Sequence, residues 1–170
     1  MCIRDSAVTV DCAAPDFGAV LHALDLIGKG EVLVIAARAH RDHAMIGDIL
    51  SGHLRNKGVA GVIVDGAVRD TGTLGQWDDF AVFSRHITPR GPTGADQGAV
   101  LGPISFGGIT VDAGDLILGD DDGLVCLPPA TWEAGLTPAR AKLTLEDRWT
   151  DALRTGNATT AFALPPPFRR

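Results

Sequence analysis

Two continuous apolar runs, separated by a segment with helical periodicity, constrain the fold of this chain more than any other feature. The runs are Glu31–Ala36 and Val59–Val64. Strands that are covered on both faces have such uninterrupted apolar sequences, which is typical of parallel sheets. Between the runs, Ile49, Leu50 and Leu54 are spaced to form the buried face of one helix. The pattern therefore predicts a strand, a helix and a second strand parallel to the first.

The flanking sequence extends this unit on both sides. Residues 7–10 predict a strand, residues 17–27 a helix that Gly28 ends, and residues 132–155 a long helix near the C-terminus. We expect an α/β fold: a layered βαβ core, a second half of short strands and the long helix, in one domain over residues 1–170. Pro165–Arg170 is predicted to be a loose tail. The short strands are expected at Ala81–Phe83, Gly102–Phe106, Ile109–Val111, Asp115–Leu118 and Leu124–Leu127.

Composition excludes several classes of partner. The net charge of −6 argues against nucleic acid, because binding a phosphate backbone needs a basic face. No apolar run approaches the about 20 residues of a membrane helix, and Met1–Ser6 lacks the apolar core of a signal peptide. Cys2, Cys12 and Cys126 are odd in number and form no metal-binding or disulfide pattern. We therefore expect a cytoplasmic protein without a membrane or nucleic-acid partner.

One constellation carries chemistry: Gly47–Leu50 at the predicted helix start, and Arg69–Asp70 after the second apolar run. The first amides of a helix lack intrahelical partners, so those of Ile49 and Leu50 can bind a carboxylate. Arg69 can bind the same carboxylate with two parallel hydrogen bonds. The set predicts a site for a small organic anion.

Asp70 and Asp48 add metal and proton chemistry to that site. A carboxylate such as Asp70 suits Mg²⁺ or Mn²⁺, which keep waters and need few protein ligands. A bound 2-oxo acid would share the cation, which stabilises an enolate during carbon–carbon cleavage, and Asp48 would position a water for proton transfer. The competing interpretation is that Asp48 only caps a helix and that Arg69–Asp70 is a surface ion pair.

Other candidates are weaker. A Schiff base would need a lysine at a strand end, and Lys29, Lys57 and Lys142 do not occupy such positions. The sequence His40–His43 offers two imidazoles for a metal, but its predicted position is a polar loop before Gly47, which favours a solvated charge cluster. Asp120–Gly123 lacks the later ligands of a calcium loop and predicts a hairpin turn.

The spacing of the acidic and basic residues resembles a known family. Asp48, twenty further residues and then Arg69–Asp70 is similar to the D-x20-R-D signature of the 4-hydroxy-4-methyl-2-oxoglutarate / 4-carboxy-4-hydroxy-2-oxoadipate aldolases. These enzymes belong to the regulator of ribonuclease activity A-like superfamily. The passages 58–70 and 113–128 also resemble the family, and the similarity covers roughly residues 7–155.

The resemblance implies an aldolase that cleaves a 4-hydroxy-2-oxo acid to pyruvate and a second oxo acid, with oxaloacetate decarboxylation as a side activity. It implies a homotrimer or hexamer with sites at subunit interfaces, and an N-terminus shortened relative to the family. Gly47–Leu50 and Arg69 would hold pyruvate or oxaloacetate, Asp70 would hold Mg²⁺ or Mn²⁺, and Asp48 would position water. Glu146, from the last helix of a neighbouring subunit, would complete the site.

Two other functions remain open from the sequence. The ribonuclease-regulator branch often lacks the second acid of the Arg–Asp pair, so the presence of both Asp48 and Asp70 favours the enzyme over a non-catalytic regulator that binds a ribonuclease or another protein. Methyl transfer to a quinone precursor is a third function, for which the sequence offers no adenosylmethionine-binding loop.

Overall fold

A computed structural model describes residues 3–157 of this chain, and the predicted tail at Pro165–Arg170 lies outside the described residues. Contacts divide the chain into two compact units, with the division between Pro129 and Ala130. The elements are β1 (Ile3–Asp11), α1 (Gly18–Leu26), β2 (Glu31–Ile46), α2 (Asp48–Asn56), β3 (Gly61–Val68), α3 (Thr71–Leu74), β4 (Ala81–Ile87), β5 (Ala99–Val100), β6 (Ile104–Phe106), β7 (Ile109–Val111), β8 (Leu116–Asp120), β9 (Gly123–Leu127) and α4 (Pro129–Arg154).

Most strands of the first unit join one mixed sheet. Within residues 3–157 this sheet has seven strands in the order β4-β3-β2-β1-β8-β9, with β5 paired to β1, while β6 and β7 form a separate hairpin. Strands β1 to β4 are mutually parallel, and β8 runs antiparallel to β1. The structure confirms the predicted α/β fold with a βαβ core, later short strands and a long C-terminal helix.

The core lies on both faces of the sheet. Leu33 packs in the cluster beneath α1 and α2, and its neighbour Val34 packs in the opposite cluster beneath β6 and β7. Likewise, Val62 packs in the cluster beneath α1 and α2, and Ile63 packs in the opposite cluster. Successive side chains of a strand point to opposite faces, so a strand covered on both sides has few polar positions. This is the physical reason for the two apolar runs.

The prediction that Ile49 belongs to the buried face of α2 was wrong. Ile49 is 75% exposed, whereas Leu54 and Ser51 are fully buried and Leu50 is half-buried. The helix begins at Asp48, and its contact with the sheet runs through positions 51 and 54, one turn apart. Ile49 therefore lies on the solvent side of α2, in its N-terminal turn.

The prediction that His40–His43 lies in a loop was also wrong. These residues are part of β2, which continues to Ile46 in spite of its polar sequence. Arg38 and Ala39 have φ of 51° and 57°, and the pairing of β2 with β3 shifts register after Ala36. Irregularities of this kind allow a strand to bend and still keep its partner. As a consequence, β2 and β3 end side by side.

The long helix α4 makes up most of the described part of the second unit. The helix was predicted at residues 132–155 and spans Pro129–Arg154, with Pro138 inside it and no buried residue. Among the described helices, none has both the length and the hydropathy for a membrane crossing.

Candidate functional site

The site is built where β2 and β3 end. Ile46 and Val68 are paired in the parallel ladder, and the Arg69 N–H donates to the Ile46 carbonyl oxygen at 3.1 Å. The carboxyl ends of parallel strands meet at one edge of a sheet, which is where α/β proteins commonly bind ligands. The chain therefore enters α2 at Gly47 directly beside Arg69, although about twenty residues separate them in sequence.

The start of α2 is in contact with Asp70. The Asp48 backbone N–H donates to Asp70 Oδ2 at 3.2 Å. Gly47 precedes the helix in an extended conformation, and no side chain of α2 caps its own first turn. A helix N-terminus favours negative charge, so the Asp70 carboxylate lies in a favourable position there. The predicted meeting of Gly47–Leu50 with Asp70 is present in the structure.

Arg69 and Asp70 form an ion pair at the mouth of the site. Arg69 Nε lies 3.2 Å from Asp70 Oδ2, and the two side chains are 38% and 36% exposed. Asp70 has a φ of 58°, and its carbonyl oxygen accepts the N–H groups of Thr73 and Leu74 at the start of α3. Asp tolerates this left-handed conformation better than most residues. The short helix α3, which the sequence did not predict, thus holds the backbone of Asp70 in place.

Gly47 is required by the close approach of the Arg69–Asp70 pair. A Cβ atom at Gly47 would lie 2.8 Å from Arg69 Cγ and 2.9 Å from Arg69 Nε, and nearer still to Asp70 Oδ2. We expect Gly47→Ala to displace both side chains and to lower turnover at least about tenfold, since small misplacements at a site are costly. Gly52→Ala in the same helix is the matched control, because a Cβ atom at Gly52 would lie 3.7 Å from its nearest neighbour, a ring atom of Trp77. Equal activity of both variants in the pyruvate-release assay that the resemblance to the aldolases calls for would contradict this arrangement.

The segment 88–98 packs against Arg69, a contact that the sequence analysis did not predict. The Ala44 N–H donates to the Arg90 carbonyl oxygen at 2.8 Å, and a Cβ at Gly91 would lie 2.8 Å from Arg69 Nη1. Pro92 joins Arg69 in the lining of a small cavity of about 40 Å³. The cluster of Pro and Gly in this segment predicts only an irregular loop. Which residue this loop contacts depends on the tertiary structure.

One small cavity adjoins Arg69. It extends between the start of α2 and Pro92, with Phe17 and Leu50 in its wall. A larger cavity of about 460 Å³ runs along β4 and is lined by Val68 and Thr71, but neither Arg69 nor Asp70 lines it. The small cavity has the size of one or two waters. A substrate with several carbon atoms would therefore lie in the open space around the pair.

The donor set around Asp70 fits a weakly ligated divalent cation. Both hydrogen bonds of the Asp70 carboxylate within residues 3–157 fall on Oδ2, so Oδ1 keeps its lone pairs for a cation. In that part of the chain no three His, Cys, Asp or Glu side chains cluster as a metal site. Mg²⁺ often binds through one or two carboxylates, with waters and substrate oxygens completing its shell. His40 Nε2 and His43 Nδ1 lie 3.1 Å apart, but no third His, Cys, Asp or Glu among the described residues joins them as a metal ligand.

The structure brings most of the predicted residues together. Gly47–Leu50, Arg69 and Asp70 adjoin one another at the ends of β2 and β3. Glu146 belongs to α4, where its Oε1 lies 3.5 Å from Lys142 Nζ. Its approach to the site of a neighbouring subunit stays a prediction, as do the individual roles of the other residues.

Comparisons with known proteins identify the family of this chain. A family model described as "RraA-like: Aldolase/RraA" matches residues 3–126. A protein of Halalkalibacterium halodurans, named "Putative 4-hydroxy-4-methyl-2-oxoglutarate aldolase", is 37% identical over 136 residues, which are 80% of this chain and 64% of that protein. The chain thus spans less than two thirds of the length of this relative.

Two solved structures have the same fold. The RNA-processing inhibitor RraA from Thermus thermophilis is 31% identical with a TM-score of 0.70, over 75% of this chain and 76% of that one. An S-adenosylmethionine:2-dimethylmenaquinone methyltransferase from Geobacillus kaustophilus is 29% identical with a TM-score of 0.70, over 74% and 77% of the two chains. The names of these relatives thus cover three different activities on one fold, so the fold alone does not decide among them.

Proposed function

This chain belongs to the RraA-like family, and on that premise we propose that it is a divalent-metal-dependent aldolase. Its substrate would be a 4-hydroxy-2-oxo acid such as 4-hydroxy-4-methyl-2-oxoglutarate or 4-carboxy-4-hydroxy-2-oxoadipate. The products would be pyruvate and a second oxo acid, and oxaloacetate decarboxylation would be a side activity. The observation that carries the proposal is the convergence of Arg69, Asp70 and the N-terminus of α2 on one spot.

Each of these groups has a distinct task in the proposed reaction. Arg69 binds the carboxylate of the 2-oxo acid through its guanidinium, and the free amides of Ile49 and Leu50 bind it from the helix side. A divalent cation at Asp70, when bound, supplies Lewis-acid stabilisation of the negative charge that develops as the carbon–carbon bond breaks. Asp48, half-buried at the first position of α2, orients a water that carries the proton.

Metal removal tests the proposal directly. Pyruvate release from 4-hydroxy-4-methyl-2-oxoglutarate is measured by coupling to lactate dehydrogenase, before and after EDTA treatment and after addition of Mg²⁺ or Mn²⁺. We expect activity to fall at least about 100-fold with EDTA and to return with either cation, since a lost Lewis acid raises the barrier by several kcal/mol. Activity that is insensitive to EDTA, or no activity with either cation, would refute a metal-dependent aldolase.

A non-catalytic inhibitor of RNA processing is the second candidate, because the structural relative from Thermus thermophilis carries that name. The assay separates the two functions: a regulator would release no pyruvate under any metal condition and would bind a ribonuclease in a pull-down experiment. The assay contains no S-adenosylmethionine, so turnover in it also argues against methyl transfer as the main reaction.

Assembly into a trimer or hexamer belongs to the same proposal. In such an assembly Glu146 of one subunit would face the Arg69–Asp70 pair of another. This arrangement would bring a second carboxylate to the exposed side of the Asp70 side chain, which is 36% exposed.

A further inference from the structure

We propose that Asp16 is a positioning residue, which anchors the segment 88–98 so that this segment holds the Arg69 guanidinium in place. The inference rests on the proposed function, because the position of Arg69 matters if it binds the substrate carboxylate. Asp16 lies just before α1 and is remote in sequence from every residue of the site. Neither its type nor its spacing suggests a role in catalysis.

The Asp16 carboxylate is buried and is bound by backbone N–H groups from two parts of the chain. The residue is only 5% exposed. Its Oδ1 accepts the N–H groups of Gly18 at 2.7 Å and Gln97 at 3.1 Å, and its Oδ2 accepts that of Asp96 at 3.2 Å. Burial raises the pKa of Asp16, but the backbone hydrogen bonds outweigh it and hold the pKa below its usual value. A charged clamp therefore joins the start of α1 to the end of the segment.

Backbone contacts reinforce this clamp. The Thr93 N–H donates to the Pro15 carbonyl oxygen at 3.0 Å, and the Phe17 N–H donates to the Gly94 carbonyl oxygen at 3.1 Å. A Cβ atom at Gly94 would fall within the contact distance of the Asp16 carboxylate. The segment is thus pressed onto Asp16 with no room for a side chain at this position.

The other part of the segment touches the site. Its Arg90 carbonyl oxygen is bound by the Ala44 N–H at 2.8 Å, next to the end of β2. Gly91 approaches Arg69 so closely that a Cβ there would lie 2.8 Å from Nη1. Pro92 lines the small cavity together with Arg69. The backbone of the segment is therefore a wall against which the guanidinium rests.

The anchored part and the wall are mechanically linked. Pro92 alone separates Gly91, which touches Arg69, from Thr93, which is fixed beside Asp16. The proline ring locks φ of this linking residue, so little backbone rotation is available between the two contacts. A displacement at Asp16 is thus transmitted to Arg69.

A purely structural role would have a different signature. If Asp16 only stabilised α1, its loss would lower the melting temperature and leave the affinity for substrate unchanged. If it positions Arg69, its loss weakens carboxylate binding even in fully folded protein. The KM of the 2-oxo acid substrate and the Kd of pyruvate measure this difference.

Asp16→Asn is the first test variant. The amide keeps one acceptor oxygen, but its NH₂ group faces a backbone N–H and cannot accept that bond. At a temperature where the variant is fully folded, we expect KM and the calorimetric Kd of pyruvate in Mg²⁺ buffer to rise about tenfold, with kcat changed less than about threefold. Pro92→Gly leaves Asp16 intact, loosens the link, and should raise both constants in the same direction.

Asp115→Asn is the matched control. Asp115 is also a buried carboxylate, 6% exposed, and accepts the Asp112 N–H at 3.0 Å in the turn before β8. We expect it to lower the melting temperature without changing KM or Kd. The positioning role is refuted if folded Asp16→Asn and Pro92→Gly bind pyruvate like the wild type, or if Asp115→Asn weakens binding equally.

The binding measurement also separates this inference from the proposed function. If the wild type binds pyruvate without turning over any 4-hydroxy-2-oxo acid, the aldolase proposal fails. In that case weaker pyruvate binding by Asp16→Asn would still support the clamp. If turnover is normal but Asp16→Asn leaves KM and Kd unchanged, the clamp fails and the aldolase proposal stands.

Discussion

Replacement of Arg69 by alanine is expected to lower kcat/KM for pyruvate release at least about 100-fold while the fold remains intact. The Arg69 guanidinium lies beside the start of α2 and can bind a substrate carboxylate through two hydrogen bonds. Loss of such a preorganised group typically lowers the reaction rate by two to three orders of magnitude. Its side chain is 38% exposed and contributes to no core cluster. Circular dichroism and thermal unfolding should therefore match the wild type within a few degrees.

Arg55→Ala provides the control for loss of an arginine. Arg55 is similarly exposed, at 36%, and its Nε pairs with Asp79 Oδ1 at 2.7 Å on the outer side of α2. An exposed pair of this kind contributes only about 0–1 kcal/mol to stability. We expect the activity of this variant to stay close to that of the wild type. Undiminished turnover by Arg69→Ala would remove Arg69 from the site and with it the proposed mechanism.

Asp70→Asn is expected to lower turnover at least about 100-fold and to abolish its response to Mg²⁺. The amide removes the negative charge that a hard cation requires, while asparagine tolerates the left-handed backbone of residue 70 as aspartate does. Alanine would add backbone strain, so asparagine isolates the electrostatic effect. Turnover is measured across a Mg²⁺ titration, and Mn²⁺ binding is measured independently by calorimetry.

The control for this variant is Asp78→Asn, which removes an exposed carboxylate outside the site. Its metal response and turnover should equal those of the wild type. If Asp70→Asn bound Mn²⁺ with unchanged affinity, the cation would not lie at Asp70. If it bound no metal yet kept full activity, the reaction would not depend on the cation.

The βαβ core was predictable because its signal is local. The runs at residues 31–36 and 59–64 are apolar because both faces of β2 and β3 are covered. An uninterrupted apolar run is visible in the sequence without knowledge of which residues cover the strand. The proximity of the candidate residues Asp48, Arg69 and Asp70 was also predictable from sequence, because they follow the ends of β2 and β3. In a parallel sheet, residues in such positions meet at one edge whatever the details of the packing.

Local periodicity failed where tertiary contacts decide the structure. The polar residues His40–His43 were predicted to form a loop, but β2 continues through them and stays paired with β3. Ile49 has an apolar side chain and the spacing of a core residue, yet it is 75% exposed because α2 contacts the sheet through Ser51 and Leu54. Pairing partners and helix rotation depend on the neighbouring elements, which the pattern of one segment does not encode.

By itself, the sequence determined the parallel core and placed one guanidinium, two carboxylates and a helix N-terminus at the ends of β2 and β3, and their joint role as a site stays a prediction. Only the tertiary structure decided how closely these groups approach, with Gly47 against the Arg69–Asp70 pair and Gly91 against Arg69 Nη1. It also decided that the buried Asp16 carboxylate anchors the segment that contacts Arg69. The physical reason is that periodicity and spacing depend on the neighbours of a residue along the chain. These contacts instead join segments that are distant in sequence and become neighbours only in the folded protein.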